Sequence, residues 1–144
     1  MTLHFVSAYL PAVAGLVIGG LVGYLIAGRG GASSSGARMT LALLFAAAIA
    51  HLSLIPVVER ERQIMFGLYF LALALTFGAA LLGVGAWKIG AVLFPAGSIL
   101  GYFYFAYGAH EVDFIGLAVK VVELGVIVTA VRSVVSARKV LSTQ

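Results

Sequence analysis

The chain contains no cysteine. That absence excludes disulfides, lipoprotein anchoring, thiol redox chemistry and thiolate metal sites. Haem b, copper held by imidazole and quinone chemistry are untouched by it. Charge is the second scarcity. Only 10% of the 144 residues are Asp, Glu, Lys or Arg, while 62% are hydrophobic. A soluble domain carries about 25% charged residues, and a soluble fold of this size could not cover so much apolar surface. The bilayer is the solvent that suits it. The expected class is all-α: a polytopic integral membrane bundle of five transmembrane helices. It forms a single transmembrane domain over residues 1–144, with no room for a separate soluble module.

The templates of soluble enzymes are also missing. There is no nucleophile elbow, no carboxylate dyad at fixed spacing and no GxxxxGK[ST] loop. The formal net charge of +4 does not point to nucleic acid, because the cations lie between and after the apolar runs and form no basic face interleaved with aromatics. The expected partners are membrane lipids and other membrane subunits or copies of the same chain.

What is present is a succession of apolar runs near the 20 residues needed to cross a bilayer. Residues 5–27 form the first. No Lys or Arg precedes this run, and it is long enough to span, so it reads as a retained helix rather than a signal peptide. Gly15, Gly19 and Gly23 recur every four residues and make a ridge that lets another helix approach closely, within the bundle or between copies. Gly28–Arg38 reads as a flexible polar linker. The second span, 39–57, holds His51 and an Ala42, Ala46, Ala50 ridge, with the charged turn VERERQ after it. The third and fourth spans, 64–86 and 89–107, form a hairpin around Trp87 and Lys88. Gly97 and Gly101 in the fourth allow a bend or close packing. The aromatics Tyr102, Phe103, Tyr104, Phe105 and Tyr107 read as an interfacial belt. The fifth span covers 112–134, and Arg132, Arg138 and Lys139 follow as a basic tail.

Two constellations carry the candidate chemistry. His51 and His110, with His4, fall toward one side of the membrane, where they could hold haem b or copper. No HxxxH or HExxH spacing forces them together, so neither cofactor is assigned. The second constellation lies on the fifth span. Asp113 and Lys120 are seven residues apart and share a helix face, with Glu123 close to it. From a rise of 1.5 Å per residue, Lys120 lies about 12 Å and Glu123 about 17 Å inside the helix. A charge at that depth costs about 2.5–3.5 kcal/mol on insertion scales. Pairing Lys120 with Glu123 offsets part of that cost. The three residues form a polar track that could conduct, dock a partner or hold the bundle.

The leading functional reading is a non-catalytic subunit of a larger membrane complex of the energy-transducing kind, such as a respiratory oxidase or reductase. A small homo-oligomeric ion or solute channel or transporter, with its polar track on the fifth helix, is the second. A b-type cytochrome anchor using His51 and His110 is the third. Arg29, Arg38, Lys88, Arg132, Arg138 and Lys139 fall on one side of the five spans, against Arg60 and Arg62 on the other. The positive-inside rule then places the N-terminus outside the cell membrane and the C-terminus in the cytoplasm. With no native cysteine, this can be tested by single introduced thiols. Glu61→Cys should react with an impermeant maleimide in intact cells, and Ser33→Cys only after permeabilisation; the reverse pattern inverts the orientation.

Overall fold

The computed structural model describes residues 3–30, 32, 34–109 and 113–141, with the side chains of 3–8, 107, 109 and 137–141 excepted. Five α-helices follow one another: α1 Leu3–Arg29, α2 Ser35–Leu54, α3 Arg60–Leu81, α4 Trp87–Ala109 and α5 Phe114–Leu141. A single 3-10 turn, Ile55–Val57, extends α2. All five helices are long and apolar enough to cross a membrane. The protein is an all-α, five-helix, multi-pass membrane protein.

The helix ends differ from expectation where local capping chemistry decides them. The expected flexible linker before residue 39 is largely the first turn of α2. Ser34 is extended and its hydroxyl accepts the amide of Ala37 at 3.1 Å, a side-chain cap that starts a helix. Arg38 closes the remaining corner by donating from Nε to the Ala32 carbonyl at 3.1 Å. The third helix stops at Leu81, five residues before Ala86, because Gly83 adopts a positive φ of 73°. That left-handed geometry suits glycine and ends a helix. Trp87 accordingly begins α4 instead of lying in the hairpin turn. The VERERQ corner is shorter than expected, since Arg60 already opens α3. The fifth helix runs on through the basic tail to Leu141.

Helices α2, α3, α4 and α5 form a ring in which each packs on the next and α5 returns to α2; α1 lies along the outer side of α2. The helix with three large neighbours is therefore the most enclosed: 56% of the spanning window of α2 is buried, against 17% for α3 and for α4. Two apolar layers fill the interior. The larger holds Leu41, Leu44, Leu73, Phe77, Trp87 and Val126. The smaller, toward the starts of α1 and α5, holds Ala12, Leu54 and Ile115. Hydroxyls within the spans close on their own helices. Thr40 donates to Gly36, Thr76 to Ala72 and Thr129 to Gly125, each to a backbone carbonyl. Lipid offers them no alternative partner.

The glycine ridge on α1 meets α2. A Cβ added to Gly19 would lie 3.1 Å from Ile49 Cβ and 3.2 Å from Ala46 Cα; one on Gly23 would lie 2.7 Å from Phe45 Cβ. The ridge is filled within the chain. Gly97 and Gly101 share the same spacing, yet nothing lies within 4 Å of a Cβ at either. Overpacking costs about 1–3 kcal/mol where a neighbour cannot move. Gly19→Leu should lower the unfolding free energy in detergent by about that much, while Gly97→Leu should leave it within about 0.5 kcal/mol. Equal effects at the two sites would show that α1 does not pack on α2 in this way.

Candidate functional site

Between the two apolar layers lies a polar one. It begins with charges on α5 that no lipid-facing helix would carry. Counting from Phe114, Lys120 sits about 9 Å and Glu123 about 14 Å into the helix. Lys120 is 7% exposed and Glu123 is fully buried. Their spacing of three residues puts them on adjacent turns, and Lys120 Nζ donates to Glu123 Oε2 at 2.8 Å. Ser98 of α4 completes a closed triangle. Its Oγ accepts from Lys120 Nζ and donates to Glu123 Oε1 at 3.1 Å. The remaining flank of the ammonium faces aromatic rings, with Nζ 6.0 Å from the Tyr69 centroid and 5.7 Å from that of Tyr102. Both distances lie within cation–π reach.

His51 approaches from α2. Its Nδ1 donates to the Ala47 carbonyl at 2.8 Å. In the neutral ring this leaves the lone pair on Nε2, which points toward Glu123 Oε1 at 3.7 Å. The ring is 4% exposed and is held edge-on by Phe66 and Tyr69, with centroids 5.2 and 4.5 Å away. Tyr69 of α3 brings a phenol to the same carboxylate and to Ser98. Its hydroxyl is buried, and no hydrogen bond of good geometry satisfies it. Four helices thus converge on Glu123.

Asp113 stands apart from this group. The sequence spacing places it on the face of Lys120, but its carboxylate is exposed and accepts the Gly116 amide at 2.5 Å. The unpaired amides at the start of a helix compete for any nearby carboxylate, and here they take it. What links the helix start to the cluster is Tyr102, whose hydroxyl donates to the Asp113 carbonyl at 3.1 Å while its ring flanks Lys120. The expected track from Asp113 through Lys120 to Glu123 is therefore carried at its outer step by an aromatic ring of α4.

The histidine constellation is only partly visible. His110 and Glu111 lie outside the described residues, as does the side chain of His4. His51 has one ring nitrogen bonded and the other turned to Glu123, so binding haem iron or copper through Nε2 would require the carboxylate to move away. Among the described residues, no three His, Asp or Glu side chains gather as a metal site. Of the aromatic belt, Phe103, Tyr104 and Phe105 are exposed, as an interfacial position requires.

Ser98 and Tyr69 are the members that sequence reasoning passed over. Ser98 is the lone serine or threonine of α4, in mid-span. Tyr69 is a tyrosine deep in α3, about 14 Å past Arg60 and far from the interface where tyrosine concentrates. Each was a usable signal.

These features define the class: a polytopic α-helical membrane protein with an ionised cluster enclosed in its bundle. No protein family, curated protein or solved structure matches the chain.

The pair predicts an asymmetry between single and double replacement. Lys120→Met leaves Glu123 buried without its cation and should destabilise the bundle by on the order of 3 kcal/mol. Lys120→Met combined with Glu123→Leu should recover most of that loss, measured as the denaturation midpoint in detergent. A double variant as unstable as the single would mean that the two charges are not each other's main partners.

Proposed function

We propose that the protein is a small channel- or transporter-type membrane protein that passes protons or a small cation by way of the Glu123 cluster. The observation that carries this reading is the convergence of His51, Tyr69, Ser98 and Lys120, from four helices, on one buried carboxylate. A pair that only held helices together would be matched in stability by apolar residues of similar volume. Ionisable groups inside membrane helices mark ion paths and proton relays. The cluster is also suited to a change of one proton. Protonating Glu123 releases the Lys120 ammonium from its anionic partner. Protonating His51 at Nε2 places a second cation 3.7 Å from the same carboxylate. Neither step needs a new side chain. Entry would be at the Asp113 end, past Tyr102.

A second reading is an accessory subunit of an energy-transducing membrane complex, with the Lys120–Glu123 pair locking the bundle. It is favoured by the sparsely buried spans of α3 and α4 and by Gly97 and Gly101, which stand open to a neighbour. Under either reading, we place the chain in the plasma membrane with its N-terminus outside. Arg29, Arg38, Lys88 and Arg132 gather at the end of the bundle opposite Arg60 and Arg62, which supports that orientation.

Purified protein in liposomes, with a potassium diffusion potential imposed and a pH dye trapped inside, separates the two. The expected result is proton entry well above that of empty vesicles, reduced at least tenfold by Glu123→Gln. Vesicles no leakier than empty ones would sink the transport reading. Co-purification of partner chains in mild detergent would then support the subunit.

A further inference from the structure

A groove of about 390 Å³ opens between α3 and α4 at the hairpin end, well away from the Glu123 cluster. Its walls include Leu68, Ala72 and Ala79 of α3 and Trp87, Gly90 and Phe94 of α4. Gly90 shapes the floor: a Cβ there would lie 2.7 Å from Thr76 Oγ1, so the glycine lets the two helices close beneath the groove. The floor makes no polar demand, because the Thr76 hydroxyl already donates to the Ala72 carbonyl at 2.8 Å.

The dimensions select the occupant. Leu68 to Ala79 spans eleven residues, or about 16 Å of helix, close to the roughly 15 Å of one leaflet's hydrocarbon. Spreading the volume over that length leaves a cross-section of about 24 Å². That admits one extended hydrocarbon chain but not a helix, whose diameter with side chains is about 10–12 Å. The polar end of the groove matches as well. Trp87 lines its mouth, and its indole N–H has no hydrogen-bond partner among the described residues. Lys88 is the next residue on, half-exposed, with no ion pair among the described residues. Arg29 approaches the same end, since its neighbour Gly30 packs against Leu81 at the close of α3. We infer that this groove is a binding site for one phospholipid with a net negative headgroup, drawn from the leaflet at the Lys88 end. One acyl chain fills the groove, and the headgroup meets Trp87 and Lys88.

Native mass spectrometry of the whole protein released from nanodiscs tests this, using mixed phosphatidylglycerol and phosphatidylcholine. One retained phosphatidylglycerol per chain is expected. Lys88→Gln, a change outside the packed interior, should lower that preference about fivefold, from roughly 1 kcal/mol per surface cation. Ala79→Trp, which plugs the groove, should remove the retained lipid with helicity unchanged. Equal retention of both lipids, no effect of Lys88→Gln, or a co-purifying chain displaced by Ala79→Trp would each overturn the assignment.

Discussion

A carboxylate with no access to water sets the terms for the rest of this bundle. Glu123 is fully buried in a helix surrounded by hydrocarbon, so its charge must be met by the protein itself. Lys120 meets it from the same helix, Ser98 from α4 and His51 from α2. Tyr69 leans in from α3. Each of these contacts fixes a rotation. Sliding α5 by one residue turns its faces by about 100° and would carry Lys120 away from Ser98. The apolar residues above and below tolerate such a slide far better, since Leu, Ala and Val pack in many registers. The polar layer therefore specifies the arrangement that the apolar layers fill.

The contrast between α1–α2 and α3–α4 follows from what faces what. On α1, small residues stand opposite Phe45, Ala46 and Ile49, and the backbones close up. Along α3 and α4, large aliphatic side chains such as Leu68, Leu75, Leu93 and Leu100 point outward, and the hairpin end leaves a groove. One half of the bundle is built for its own chain, the other for the lipid around it.

Much of this is legible in the sequence. Five apolar runs of spanning length leave little choice of architecture, and two charges in the middle of the fifth run are too costly to be incidental. Less legible is whatever depends on the partner. The spacing of Gly97 and Gly101 equals that of Gly15 and Gly19, yet only the latter pair has a helix against it. Spacing defines a ridge without saying what lies across from it. Asp113 shows a related limit. Helical periodicity puts it over Lys120, but the free amides of its own first turn claim it before the cluster can. Ser98 and Tyr69 went unseen because serine and tyrosine become informative only when a charge on another helix is known to sit at their depth.

The polar layer also determines where any passage across the membrane would be opposed. On the Asp113 side, a few residues separate the cluster from the surface, and Tyr102 already touches both. On the other side stands the larger apolar layer, with Leu44, Leu73 and Val126 fully or almost fully buried and Phe45 packed on Phe77 at 4.9 Å between centroids. No side chain there can accept a proton from His51, since Thr40 and Thr76 are both tied to their own helices. A proton could be loaded from the Asp113 side without moving a helix, but releasing it on the far side requires α2, α3 and α5 to part where they are best packed. The Lys120–Glu123 pair thus stands at the end of an open approach and at the face of a barrier, which is where a change of one charge would have the greatest mechanical effect.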